Sequence, residues 1–403
     1  MPMNISSVPS HRLGESLVRV LDKNGNPVAD KELVLNQKSH EFLFGSGAFD
    51  FLEFEGKKAD PDRLEKWLAM FNYGTLPFYW GRYEPEEGHP HYDQLMTAAK
   101  KLRANNVTPK GHPLCWHTVC ADWLMKYPDE VIMDKQLERI NREVTAFKGV
   151  IDFWDVINEV VIMPIFDKYD NAVTRLCKRY GQVGLVKEVF AAARAANPEG
   201  TFLINDFNVS PKYEKLIEDC LEAGVEFSAI GIQSHQHQGY WGTEKLYDVL
   251  KRFGRFGLPI HFTENTLVSG SLIPEYIEDL NDWQVEEWPT TPEGEERQAR
   301  EWEEMYKILF ADPNVKAVTG WDFADGAWLG APSGLITKDN RIKPAYTKLH
   351  NLIKGEWWTE GEVIRTNSDG IVNIKGAKGT YEIEGCQGVI TLGDKPSEVT
   401  VTL

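Results

Sequence analysis

Between residues 41 and 356 the chain alternates two hydrophobic rhythms. Short runs rich in apolar, β-branched and aromatic residues fall at 41–46, 70–76, 108–114, 150–156, 201–205, 228–232, 258–263 and 315–321. Longer stretches with the 3.6-residue repeat of an amphipathic helix lie among them, at 92–105, 129–147, 172–197, 213–223, 244–253, 292–311 and 344–353. Eight strands alternating with helices predict an α/β fold, a (β/α)8 TIM barrel. The competing arrangement, an open doubly wound sheet, typically carries a glycine-rich phosphate loop after an early strand, and none is present.

The two ends of the chain have a different rhythm. Residues 1–10 read as a loose tail. From Ser16 to Leu35 the alternation is that of strands, and the Asn24-Gly25 pair between them signals a hairpin. After Trp357-Trp358 the helical period stops, and short strands with turns follow at 361–366, 371–374, 379–383 and 399–403. Neither end can hold a good core alone. The expectation is one small accessory β-sandwich built from both, giving an N-terminal β segment (1–40), a catalytic barrel (41–356) and a C-terminal β segment (357–403).

Composition narrows the partners. The 403 residues carry a net charge of −17, which argues against nucleic acid, bound mainly through basic residues, and against anionic membrane surfaces. No stretch is long enough to span a membrane, and residues 1–17 hold no apolar run of signal-peptide length. The protein is therefore expected to be either intracellular or secreted with its signal peptide removed. Five scattered cysteines with no Cys-x-x-Cys read as free thiols. Thirteen tryptophans offer flat apolar surfaces of the kind sugar rings stack on.

The candidate chemistry sits where the strands end, which is where a barrel presents its active site. The fourth strand runs into Trp154-Asp155-Val156-Ile157-Asn158-Glu159, and the seventh ends in Thr263-Glu264. Carboxylates on opposite sides of one barrel mouth can act on a bond held between them, as glycoside hydrolysis requires. The third strand leads into His112 and Trp116, the fifth into Asn205 and Phe207, the sixth into Gln233 and His235, and the eighth into Trp321 and Trp328. The histidines leave a rival open. His235 and His237, with His112 and His117, could hold a metal, although an H-x-H pair is a weak signal. No metal or cofactor is expected.

At these residues the chain resembles the family 10 glycoside hydrolases, the endo-β-1,4-xylanases. The resemblance covers about 310 residues, from Phe44-Gly45-Ser46 to Lys343-Pro344-Ala345-Tyr346, and rests on Gly111-His112-x-Leu114-x-Trp116-His117, Trp154-Asp155-x-x-Asn158-Glu159, Asn205-Asp206-Phe207-Asn208, Gln233-x-His235, Thr263-Glu264, and Trp321 with Trp328. It implies a retaining double displacement on xylan or xylo-oligosaccharides, with Glu159 as acid/base and Glu264 as nucleophile. It further implies that Asn158 binds the sugar 2-hydroxyl and that His235 orients Glu264. His112, Trp116, Asn205, Gln233, Trp321 and Trp328 would shape the pocket, and Phe207 would stack on the leaving-group side.

Two departures stand out. Where the family follows the second strand with Glu-Asn-x-x-Lys, this chain reads Thr75-Leu76-Pro77-Phe78-Tyr79-Trp80-Gly81-Arg82. Two residues after the nucleophile, where an Asp is usual, stands Thr266. The first suggests that Tyr79, Trp80 or Arg82 rebuilds the neighbouring sugar site for a decorated or different glycan. A β-glycanase for another backbone and a carbohydrate-binding barrel without catalysis are the alternatives. The long segment 265–291, with Trp283 and Trp288, reads as a lid or as a packed surface loop.

Overall fold

A computed structural model describes residues 7–54 and 56–403. Of the tail expected at residues 1–10, residues 1–6 lie outside the described residues. Residues 7–10 are not loose: Val8 is buried in the main core, and Ser10–Arg12 form a 3-10 turn.

Eight parallel strands close into a barrel. They are β3 (Leu43–Gly47), β4 (Tyr73–Pro77), β5 (Thr108–His112), β6 (Phe153–Asn158), β7 (Thr201–Asp206), β8 (Ala229–Ile232), β9 (Ile260–Asn265) and β10 (Val315–Gly320), with β10 pairing back onto β3. Nearly every residue along them is buried, because helices cover the outer face and side chains fill the inside. The covering helices are α1 (Pro61–Leu68), a single turn α2 (Trp80–Tyr83), α3 (Tyr92–Ala104), α4 (Asp129–Phe147), α5 (Ala172–Ala196), α6 (Pro211–Glu222), α7 (Gly242–Gly254), α8 (Pro292–Ala311) and α9 (Pro344–Asn351). Helix α1 escapes the periodicity because it buries only Leu64 and Trp67. Its start was nonetheless encoded: the Asp60 carboxylate accepts from the Asp62 N–H, and Pro61 takes the first helical position.

The terminal segments form two facing sheets. β1 (Leu13–Leu21) lies between β12 (Ile371–Ala377) and β15 (Ser397–Thr402), while β2 (Glu32–His40) lies between β11 (Glu362–Arg365) and β13 (Gly379–Ile383), with β14 (Ile390–Leu392) at the edge. Their inward residues, among them Val18, Val20, Leu33, Leu35, Ile374 and Tyr381, share one apolar core separate from the barrel's. The expected hairpin between β1 and β2 does not form. The Asn24-Gly25 turn is present, held by Asp22 Oδ1 accepting from the Asn24 and Asn26 N–H groups at 2.8 Å. The chain then crosses to the opposite sheet, so the two strands face each other across the core. Alternation specifies an inward face, and strands from the C-terminal segment complete the backbone ladder of both.

Arg12 ties this sandwich to the barrel. Its guanidinium donates to the Phe310, Asp312 and Val315 carbonyls at 3.1, 2.7 and 2.6 Å and lies over the Phe42 ring. No helix among the described residues is long and apolar enough to cross a membrane. All five cysteines are free, with Cys386 alone only partly buried.

Candidate active site

The C-terminal ends of the barrel strands bring the two glutamates into one hydrogen-bonded network. Strand β6 ends at Asn158, and Glu159 follows in a left-handed backbone conformation (φ 59°), its N–H donating to the Asn205 carbonyl at 2.8 Å. A non-glycine residue in that conformation costs energy unless its surroundings impose it, and such residues gather at functional sites. The Glu159 carboxyl accepts from Trp116 Nε1 at 2.9 Å, Gln233 Nε2 at 3.1 Å and Asn158 Nδ2 at 3.3 Å. Glu264, on β9, is 3% exposed, and it accepts from Asn205 Nδ2 at 2.7 Å and faces His235 Nε2 at 3.2 Å. Asn205 and Gln233 both also donate to Asn158 Oδ1, at 2.9 and 3.1 Å. Thr263 Oγ1 donates to Asn205 Oδ1 at 2.7 Å, which fixes which way that amide points.

Opposite electrostatics act on the two acids. Burial disfavours the charged form of Glu159, and nearby Asp206 and Glu264 add to it; together they outweigh the donors from Gln233 and Trp116 and push its pKa to about 8. Burial acts on Glu264 too. There it is overcome by positive charge at His112, the hydrogen bond and charge of His235, and Lys110, so the carboxyl is held below the usual range. One glutamate keeps its proton at neutral pH and the other stays ionised, the division of roles that acid–nucleophile pairs require.

Lys110 and Asp155, to which the motifs assign no role, complete the electrostatics. Lys110 Nζ donates to Asp155 Oδ2 at 2.7 Å, and His112 Nδ1 lies 2.7 Å from the same oxygen and 3.8 Å from Glu264 Oε1. Both partners of the Lys110–Asp155 pair are fully buried. Burial raises the Asp155 pKa, but Lys110 and His112 more than offset it and keep the group ionised. The signal available in the sequence was a lysine in the middle of a barrel strand, Thr108–His112, a placement that needs a partner. His112, Asp155 and Glu264 place one ligand atom each within 4.8 Å of one another, a spacing that could suit a cation. The Lys110 ammonium already supplies positive charge there. The four-histidine rival does not assemble: His237 turns to Thr266 Oγ1 at 3.1 Å, and His117 packs edge-on against Phe166.

Aromatic residues wall the site. Trp321 packs edge-on against His112 at 5.3 Å, Trp328 lies 4.5 Å from the His235 ring, and Tyr79 contacts both His112 and Trp116 at 5.8 and 5.6 Å between ring centroids. Phe207, just past the end of β7, is 43% exposed. The departures at the second strand separate into distinct roles. Trp80 is buried and donates to Glu84 Oε2 at 3.0 Å, away from the mouth. Tyr79 stays at the site, with the exposed Arg82 guanidinium 5.7 Å above its ring. Thr266 shares its hydroxyl between His237 and, at 3.5 Å, His235 Nδ1, where an aspartate would have placed a negative charge.

Segment 266–291 has buried anchor points, but most of its residues from 271 onward are exposed or half-buried. Trp288 is buried with Val268, Ile273 and Ala331 in a small core of its own, joined by Trp283, and donates to the Ser271 carbonyl at 2.9 Å. The two tryptophans thus hold the loop together.

A closed parallel barrel whose mouth couples a protonated glutamate to an ionised one has the equipment for acid-assisted displacement at a glycosidic bond. Residues 77–352 match the description of glycosyl hydrolase family 10, and the chain belongs to that family. It is 27% identical over 324 residues to the endo-1,4-beta-xylanase/feruloyl esterase of Xylanibacter ruminicola, a match covering 71% of this chain and 42% of that protein. It is 26% identical over 303 residues to endo-1,4-beta-xylanase A of the same species, covering 66% and 79%. Among solved structures, a family 10 protein from Paenibacillus barcinonensis has a TM-score of 0.65 at 24% identity, covering 78% of this chain and 95% of that one. Xylanase 10B of Thermotoga petrophila, in complex with xylobiose, has a TM-score of 0.64 at 21% identity, covering 78% and 94%. These two likenesses show the shared fold.

Proposed function

We propose that this protein hydrolyses β-1,4-xylosidic bonds in xylan or xylo-oligosaccharides with retention of configuration. The observation that carries the reading is the hydrogen-bonded network in which Asn158, Asn205 and Gln233 join Glu159 to Glu264, with burial raising the pKa of the first and nearby positive charge lowering that of the second. In the first step Glu264 attacks the anomeric carbon as the glycosidic C–O bond breaks, and Glu159 gives its proton to the departing oxygen. In the second, Glu159, now a base, takes a proton from water, which attacks the same carbon and releases Glu264. Asn158, oriented by Asn205 and Gln233, has its amide nitrogen directed to Glu159 and is placed to meet the sugar 2-hydroxyl. His235 donates to Glu264 and keeps it ionised, and His112 and Lys110 add positive charge. His112, Trp116, Tyr79, Trp321 and Trp328 enclose the reacting sugar, and Phe207 offers a stacking face beyond it.

A decorated xylan or another β-glycan is favoured by one observation: Tyr79 and Arg82 stand where the family's polar grip on the next sugar is absent. In this proposal residues 41–356 do the chemistry, and 1–40 with 357–403 act as one accessory unit. The reaction is tested by assaying a panel of linear, branched and glucose-based β-glycans with wild type, Glu159→Gln and Glu264→Gln. Each substitution should lower activity by about three orders of magnitude or more on the preferred glycan. Near-normal activity in either variant overturns the assignment.

A further inference from the structure

Three neighbouring loops on one side of the mouth are linked in a way the chemistry above does not use. Residues 159–171 follow the fourth barrel strand, β6, and residues 266–291 follow the seventh, β9; in the barrel these strands are separated by β7 and β8. The first loop is anchored on its near side, where Phe166 packs edge-on against His117 at 4.5 Å and against Tyr169 at 4.9 Å. The second lies across the loop after β8. Gln238 Nε2 donates to the Pro274 and Ile277 carbonyls at 3.0 and 2.8 Å, and the Ile273 N–H donates to the His237 carbonyl at 2.9 Å. The two then meet: Lys168 Nζ lies 2.6 Å from both Asp279 Oδ2 and Asp282 Oδ1.

We infer that Lys168, with Asp279 and Asp282, determines leaving-group length: the ion pair straps the mouth past the ends of β7 and β8 and favours short substrates over polymeric ones. The inference rests on the glycoside-hydrolase reading above. Phe207, the stacking face on the leaving-group side, follows β7, between the two anchors of the strap, and its ring remains exposed. A leaving group of one or two sugars can rest on that ring. A long chain leaving on this side has to pass the strap. The pair is partly solvent-exposed, so it closes the mouth weakly and is screened by salt.

The test compares kcat/KM on 4-nitrophenyl β-xylobioside, whose leaving group is a single aryl ring, with kcat/KM on soluble linear xylan, in wild type, Lys168→Ala and Lys168→Arg. Wild type should favour the aryl substrate. Lys168→Ala should raise the xylan-to-aryl ratio by about fivefold or more while leaving aryl hydrolysis within about twofold, and Lys168→Arg should resemble wild type. An unchanged ratio in an active Lys168→Ala enzyme overturns the strap alone. Hydrolysis of neither substrate by wild type overturns the functional reading and the strap with it.

Discussion

At the residue scale, Glu159 sets the upper edge of the working pH range. Its proton is needed at the leaving oxygen, and its carboxyl titrates at about 8, so kcat/KM should fall as pH rises through that value. Glu264 must be ionised, and the charges of His112, His235 and Lys110 hold its pKa below the ordinary carboxylate range, so the acid-side fall should come at a lower pH than for an ordinary glutamate. Trp116 Nε1 donates to Glu159 and thereby favours the charged form. Removing that donor with Trp116→Phe should move the alkaline edge upward by about half a unit, measured from the pH dependence of kcat/KM. A downward shift would mean that Trp116 acts on Glu159 through something other than this hydrogen bond.

At the element scale, the strands are spaced to admit the network. A Cβ built on Gly231 of β8 would stand 2.3 Å from Asn205 Oδ1. Gly231→Ala should therefore displace the amide that joins Asn158 to Glu264 and lower kcat by about tenfold or more, with the circular dichroism spectrum kept. Normal kcat in that variant would show that Asn205 need not be held so closely. Most elements were legible because each barrel strand is a short apolar run between helices of clear period. Helix α1 was not, since two buried side chains make too short a stripe. The pairing of β1 and β2 was misread for another reason: period-2 alternation and an Asn-Gly turn are shared by hairpin neighbours and by strands facing each other across a sandwich. In the site, Glu159 and Glu264 were visible from their places at strand ends. The buried Lys110–Asp155 pair behind them was not, because its meaning lies in a contact between neighbouring strands. Thr266 was seen as a departure, but its sharing between two histidines needed coordinates.

At the scale of the whole molecule, the sandwich and the barrel are joined through buried Arg12. Arg12→Ala leaves the Phe310, Asp312 and Val315 carbonyls without this donor. It should lower stability by about 3 kcal/mol, read as a fall in Tm, while activity per folded molecule at low temperature holds. Lost activity without a fall in Tm would instead place Arg12 in the path of catalysis. The division of labour between Glu159 and Glu264 can be read from a single covalent bond. A 2-deoxy-2-fluoro aryl β-xylobioside slows both steps but keeps a good leaving group, so a glycosyl-enzyme should accumulate. Peptide mass mapping after incubation should find one fluoroxylobiosyl group per chain, on Glu264. Label on Glu159 or another residue, or turnover of the reagent with no adduct and α-configured product, would contradict it.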